Sequence, residues 1–137
     1  MRAVVVWMVG VLVLLAQPLP PQLAGTIDKK GIVLVDFFAS WCHSCRKELP
    51  ILLDFVKRHP DISLVAVDVD ENKEAGEAFV EELGLKSVVL YDTKQEIIKA
   101  FDPAGIPALY IFKDGKLVGS IIGARENIQA HILKAIQ

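Results

Sequence analysis

Cys42 and Cys45 stand directly after Trp41, with His43 and Ser44 between them, and they are the only cysteines in a chain of 137 residues. There is no second pair from which to build a framework of structural disulfides. The pair follows on residues 32–39, Ile-Val-Leu-Val-Asp-Phe-Phe-Ala. This is a continuous apolar run rich in β-branched and aromatic residues, as expected of a strand buried on both faces. Two thiols in the first turn of a helix can close into a small ring and exchange with a partner's disulfide. The same spacing is half of a zinc site, but no second CxxC and no HxxxH completes a tetrahedral set. The residues alone therefore favour redox chemistry.

The N-terminus inflates the hydrophobic content of 53%. Across residues 4–16 only Gly10 is not strongly apolar; Arg2 precedes the run, and Pro18, Pro20 and Pro21 follow it. A membrane span needs about 20 apolar residues, so this run better suits the core of a signal peptide. Neither Ala16 nor Ala24 ends a small-x-small cleavage site, because Leu14 and Gln22 occupy the positions two before them. An uncleaved anchor through residues 3–16 is the alternative, and a buried core helix is a third reading. We expect residues 1–24 to be a signal peptide or N-terminal membrane anchor with a Pro-rich linker. Residues 25–137 are expected to form one domain outside the cytoplasm, in the periplasm or anchored in the inner membrane. Beyond residue 24, 14 Lys and Arg face 17 Asp and Glu, a mildly acidic balance with no basic stripe for nucleic acid.

The pattern predicts strands over residues 32–39, 62–68, 87–91, 108–113 and 116–122. A helix opens at Cys42, with Leu49, Leu52, Leu53 and Val56 on one face and Pro50 expected to kink it. It ends near His59-Pro60. A second helix covers residues 73–83 and stops at Gly84. Thr93 to Glu96 reads as a capping box that starts a short helix through Phe101. Asp114-Gly115 is a hairpin signature, and residues 126–136 read as a terminal amphipathic helix. The order βαβαβαββα implies parallel strands with helical crossovers, followed by an antiparallel hairpin.

These residues together resemble the thioredoxin superfamily. Val35-Asp36-Phe37-Phe38-Ala39-Ser40-Trp41-Cys42-His43-Ser44-Cys45 is similar to its strand, active-site and helix signature. Gly105-Ile106-Pro107, followed by Leu109-Tyr110-Ile111-Phe112-Lys113-Asp114-Gly115, is similar to its cis-proline loop and hairpin. Cys45-Arg46-Lys47-Glu48-Leu49-Pro50 resembles the extracytoplasmic TlpA/ResA-type members, as does an extra strand and helix between Gly84 and Pro107. The chain departs from that subgroup in a short segment before Ile32 and in Ser44, where reducing members commonly have proline. Ala66 stands where classical thioredoxin has a lysine. The resemblance implies an α/β thioredoxin fold, a central mixed sheet flanked by helices with a strand-helix insertion before the cis-proline.

A helix N-terminus stabilises thiolate, which makes Cys42 the expected nucleophile and Cys45 the resolving thiol of a redox disulfide. His43, when protonated, would favour the Cys42 thiolate further. Asp36 is a lone carboxylate in an apolar strand, so burial should raise its pKa. The resemblance places it beneath the cysteines as the general base for Cys45. Trp41, Ile106 and Pro107 are the expected substrate-binding residues, with the Ile106–Pro107 bond cis. His59 and His131 read as structural.

The leading function is an extracytoplasmic thiol-disulfide oxidoreductase that reduces protein disulfides. The resemblance implies apocytochrome or copper-site cysteines as targets and a membrane thiol as electron donor. A monomer is expected, without cofactor, metal or nucleic acid. The alternatives are a disulfide oxidase or isomerase and, in a different class, a non-enzymatic copper(I) or zinc carrier using Cys42, His43 and Cys45.

Overall fold

The computed structural model describes residues 20–27 and 30–137. The apolar run at residues 4–16 and the anchor expected at residues 3–16 lie outside the described residues. Among the described residues no helix is long and apolar enough to cross a membrane.

The strands are β1 (Ile32–Phe38), β2 (Ile62–Asp68), β3 (Val88–Tyr91), β4 (Ala108–Lys113) and β5 (Lys116–Ile122). The helices are α1 (Pro21–Ile27), α2 (His43–Arg58), α3 (Lys73–Leu83), α4 (Glu96–Phe101) and α5 (Ile128–Ala135). The strands form one mixed sheet in the order β3-β2-β1-β4-β5. β1, β2 and β3 run parallel, and β4 and β5 join antiparallel. β1 is central, which explains its apolar run: six of its seven residues are buried.

Side chains alternate across the sheet. Leu34, Leu109 and Ile111 pack with Leu52 and Phe55 of α2 and with Ile128 and Ile132 of α5. In register, Asp36 lies between Ala66 and Leu109 on that same face. The opposite face carries Val33, Val35, Phe37, Tyr110 and Phe112, which cluster with Leu23 and Ile27 of α1 and Ile97 of α4. Phe101 of α4 closes this layer, with its ring 4.7 Å from Tyr110 and 5.1 Å from Phe37.

Several expectations need adjustment. The Pro-rich linker expected through residue 24 overlaps α1. Pro21 takes the first helical position, where its missing N–H breaks no helical bond. Leu23 and Ile27, one turn apart, are completely buried. The predicted capping box does not form, because Gln95 at the N-cap adopts a left-handed backbone with φ 56°. Asp92 caps α4 instead: its carboxylate accepts from the N–H groups of Ile97 at 3.1 Å and Ile98 at 2.9 Å. α2 runs on through Pro50, and α5 begins at Ile128, two residues later than predicted.

Candidate active site

The site is built where β1 ends and α2 begins. Cys42 is the N-cap of α2, in an extended conformation. Its Sγ accepts the Cys45 N–H at 3.2 Å and lies 3.7 Å from Ser44 Oγ. A sulfur in this position replaces the oxygen of an ordinary cap and meets one of the unpaired N–H groups of the first turn. The two cysteines are joined as a disulfide, with Cα atoms 5.2 Å apart. Cys42 is 5% exposed and Cys45 is fully buried, so the first sulfur is the one a partner can reach. His43 opens α2 with an exposed side chain.

Trp41 does not fill the core; it is 68% exposed. It walls a cleft of about 350 Å³ with Val69, Ile98, Pro103 and Ile106. The Ile106–Pro107 bond is cis, as the resemblance implies. The Pro107 carbonyl accepts from the Gly123 N–H at 2.8 Å, which ties this loop to the end of β5. Ile106 is half-buried and Pro107 buried. The structure thus brings Trp41, Ile106 and the dithiol segment to one end of the sheet.

Asp36 is 1% exposed, and its Oδ1 has no hydrogen-bond partner among the described residues. Burial pushes its carboxyl well above the ordinary range, and the Glu48 carboxylate adds to the rise. Glu48, from α2, is 5% exposed. Its Oε2 accepts from the Arg125 N–H at 3.1 Å. Burial raises the Glu48 carboxyl too, partly opposed by that hydrogen bond and by the Arg125 charge. Two carboxyls, both raised by burial, therefore lie between the sheet and α2. A carboxyl raised in this way is better suited to exchanging a proton with a neighbouring thiol than an ordinary one.

In the sequence Glu48 stands out only as part of the Cys45–Pro50 motif. Its signal was periodicity: Cys45, Glu48, Leu49, Leu52 and Phe55 are the buried residues of α2. Glu48 falls three residues after Cys45 and four before Leu52, inside the core stripe. A carboxylate there is as unusual as Asp36 in its strand.

The family model described as thioredoxin-like matches residues 30–117. The chain belongs to the thioredoxin-like family. It is 33% identical over 113 residues to the thiol-disulfide oxidoreductase ResA of Bacillus anthracis, a match over 78% of this chain and 65% of the relative. It is 33% identical over 106 residues to a thioredoxin H-type of Picea mariana, covering 77% of this chain and 67% of that one. The chain thus spans just under two thirds of the length of the ResA relative. Among solved structures, StoA from Bacillus subtilis superposes with a TM-score of 0.67 at 26% identity, over 80% of this chain and 84% of the other. A thiol:disulfide interchange protein from Chlorobium tepidum gives 0.70 at 25% identity, over 83% and 85%.

Proposed function

We propose that this protein is a thiol-disulfide oxidoreductase that reduces protein disulfides outside the cytoplasm. The observation that carries the reading is Cys42. It caps α2 through its own sulfur and is the more exposed of the pair, beside the Trp41 cleft and the cis-Pro107 loop. In the reduced protein, the same N–H groups and the positive end of the helix stabilise a Cys42 thiolate.

The thiolate attacks one sulfur of a substrate disulfide, forms a mixed disulfide and expels the other substrate sulfur as thiolate. Asp36 takes the proton of Cys45, with Glu48 as its charge partner. The Cys45 thiolate then attacks Cys42 Sγ and releases the second substrate thiol. This leaves the Cys42–Cys45 disulfide and a substrate reduced by two electrons. An external dithiol donor, which we place in the membrane, resets the pair. Trp41, Ile106 and Pro107 form the docking surface, and His43 tunes the thiolate.

The likeness to ResA supports an extracytoplasmic setting, with apocytochrome or copper-site cysteines as substrates. The residues that precede α1 serve as signal or anchor, and the protein acts as a monomer. Cys42→Ser should abolish insulin reduction, whereas Cys45→Ser should accumulate covalent mixed disulfides. Equal alkylation rates at the two thiols would contradict these roles. An alkaline phosphatase fusion after Gln137 should be active; a folded, abundant but inactive fusion would put the domain in the cytoplasm.

A further inference from the structure

Ser40 is held through every polar group it has. Its N–H donates to Asp70 Oδ2 at 2.8 Å, and its hydroxyl pairs with Asp70 Oδ1 at 2.7 Å. Its carbonyl accepts from Arg46 Nε at 3.3 Å. Arg46 in turn pairs with Glu82 of α3 at 3.0 Å and stands 4.4 Å from the centre of the Phe79 ring. Ser40 immediately precedes Trp41 and Cys42. The clasp therefore sets the segment that carries both the cleft wall and the outer sulfur.

Behind Asp70 lies Asp68, the last residue of β2, with no exposed surface. Neither of its carboxyl oxygens makes a full hydrogen bond among the described residues, and its polar neighbours are the Asp70 carboxyl and the Asp70 backbone N–H. α3 crosses it at Gly76, where a Cβ would overlap the Asp68 carboxyl.

The charged and titratable groups around the pair are otherwise engaged. Arg46 of α2 is turned to Ser40 and Glu82. Lys73 and Glu77 of α3 pair with each other at 3.5 Å. The Tyr91 phenol of β3 is raised by burial, with Glu77 and Asp68 adding. Asp92 donates its N–H to the Asp68 carbonyl at 2.7 Å, while its carboxylate caps α4. Two adjacent carboxylates without a cation repel; one retained proton turns the repulsion into a charge-assisted O–H···O bond.

We propose that Asp68 and Asp70 share one proton and act as positioning residues for the dithiol, with protonated Asp68 donating to ionised Asp70 and Asp70 holding Ser40, and hence Trp41 and Cys42, for docking. Burial pushes the Asp68 carboxyl up to about 8, with the Asp70 side-chain hydrogen bond and charge adding and the Asp70 backbone N–H partly opposing. Burial also works to raise Asp70, but the bonds from Asp68 and Ser40 outweigh it and leave that carboxyl below the usual range. When the shared proton leaves on the alkaline side, the clasp loses its anchor and substrate docking weakens. The exchange step, which needs thiolate, gains at the same pH. Alkaline pH should therefore raise KM without lowering kcat.

Only the kinetic readout of this proposal rests on the oxidoreductase reading. The test uses the full chain in nonionic detergent. Carboxyl 13C resonances of the oxidised protein are followed against pH, and insulin reduction with dithiothreitol is measured alongside, in wild type and in Asp68→Asn. We expect the Asp68 resonance to titrate at about pH 8. We expect the wild-type KM for insulin to rise about five- to tenfold from about pH 7 to about pH 9.5, the loss of roughly one hydrogen bond. The KM of Asp68→Asn should stay level, because its amide donates to Asp70 at every pH. An Asp68 carboxyl that ionises in the ordinary acid range, or an equal KM rise in the variant, would overturn the proposal. If wild type reduces no insulin at any pH, the oxidoreductase reading fails and the carboxyl titration alone decides the pair. The same titration decides it if the variant does not fold.

Discussion

Asp36→Asn offers a quantitative test of a buried acid, best made on the oxidised protein, where no thiol titrates. An ordinary Asp carboxyl has a pKa of 3.8, and burial raises that of folded Asp36 well above this. Below the unfolded value both states hold the proton and folding costs nothing in protons. As pH rises, the unfolded chain releases its proton while the folded chain keeps it. Stability then falls by about 1.4 kcal/mol for each pH unit over which the difference lasts. The Asn side chain does not ionise, so its stability has no such slope. A fixed offset runs the other way. Asp36 Oδ1 has no partner, and an unsatisfied amide there costs about 1–3 kcal/mol. The variant should therefore be no more stable than wild type near pH 4 and should gain on it as pH rises, while turnover slows because Cys45 loses its base. Urea melts of both proteins at several pH values measure the difference directly. Asp68 titrates in both proteins and cancels, whereas the part of the slope that Glu48 owes to Asp36 is lost with it. Stability curves that run parallel with pH would show that Asp36 ionises in the fold as it does in water, and the account of its burial would be wrong.

Ile27→Ala should lower stability by about 2–4 kcal/mol, because its fully buried side chain anchors α1 to the core; a change within error in the urea midpoint would show α1 to be dispensable. Gly76→Ala should destabilise by about 1–3 kcal/mol despite the better helix propensity of alanine, because the added methyl meets the buried Asp68 carboxyl; thermal unfolding that shifts upward would refute this contact. Equilibration with glutathione should give a potential of about −200 to −270 mV, below that of protein disulfide isomerase, whereas a value near −120 mV would indicate an oxidase.

Much of the fold was legible because its signals are local. Residues 62–68 and 73–83 form the strand and helix that their patterns predict, and Gly84 ends α3 in the left-handed conformation at φ 62°. Asp114 and Gly115 both have positive φ, 50° and 79°, as a tight primed hairpin turn requires. The failures also have physical causes. Pro20-Pro21 reads as a breaker, yet a proline at the first helical position fits, and only tertiary burial of Leu23 and Ile27 makes so short a helix stable. The cap of α4 comes from Asp92, one residue outside the expected box, because the chain turns left-handed at Gln95.

The site divides in the same way. Cys42, Cys45 and Asp36 could be found from one short stretch, because a dithiol and a charge stand out within an apolar run. Glu48 and the Asp68–Asp70 pair could not. Glu48 and Asp70 have charged neighbours in sequence and acquire their character from remote partners: Arg125 is 77 residues from Glu48, and Ser40 is 30 from Asp70. A sequence pattern records that such residues are polar but not that the fold buries them. Buried acids are costly, and among the described residues four of the five buried polar side chains, Asp36, Glu48, Asp68 and Asp70, lie at the β1, β2 and α2 ends that carry the dithiol. The fifth, Asp92, has a structural use, since its carboxylate is taken up in capping α4. A core under selection for stability alone would fill the other four positions with apolar side chains. Their concentration around one disulfide is the pattern expected where local rules give way to proton transfer and positioning.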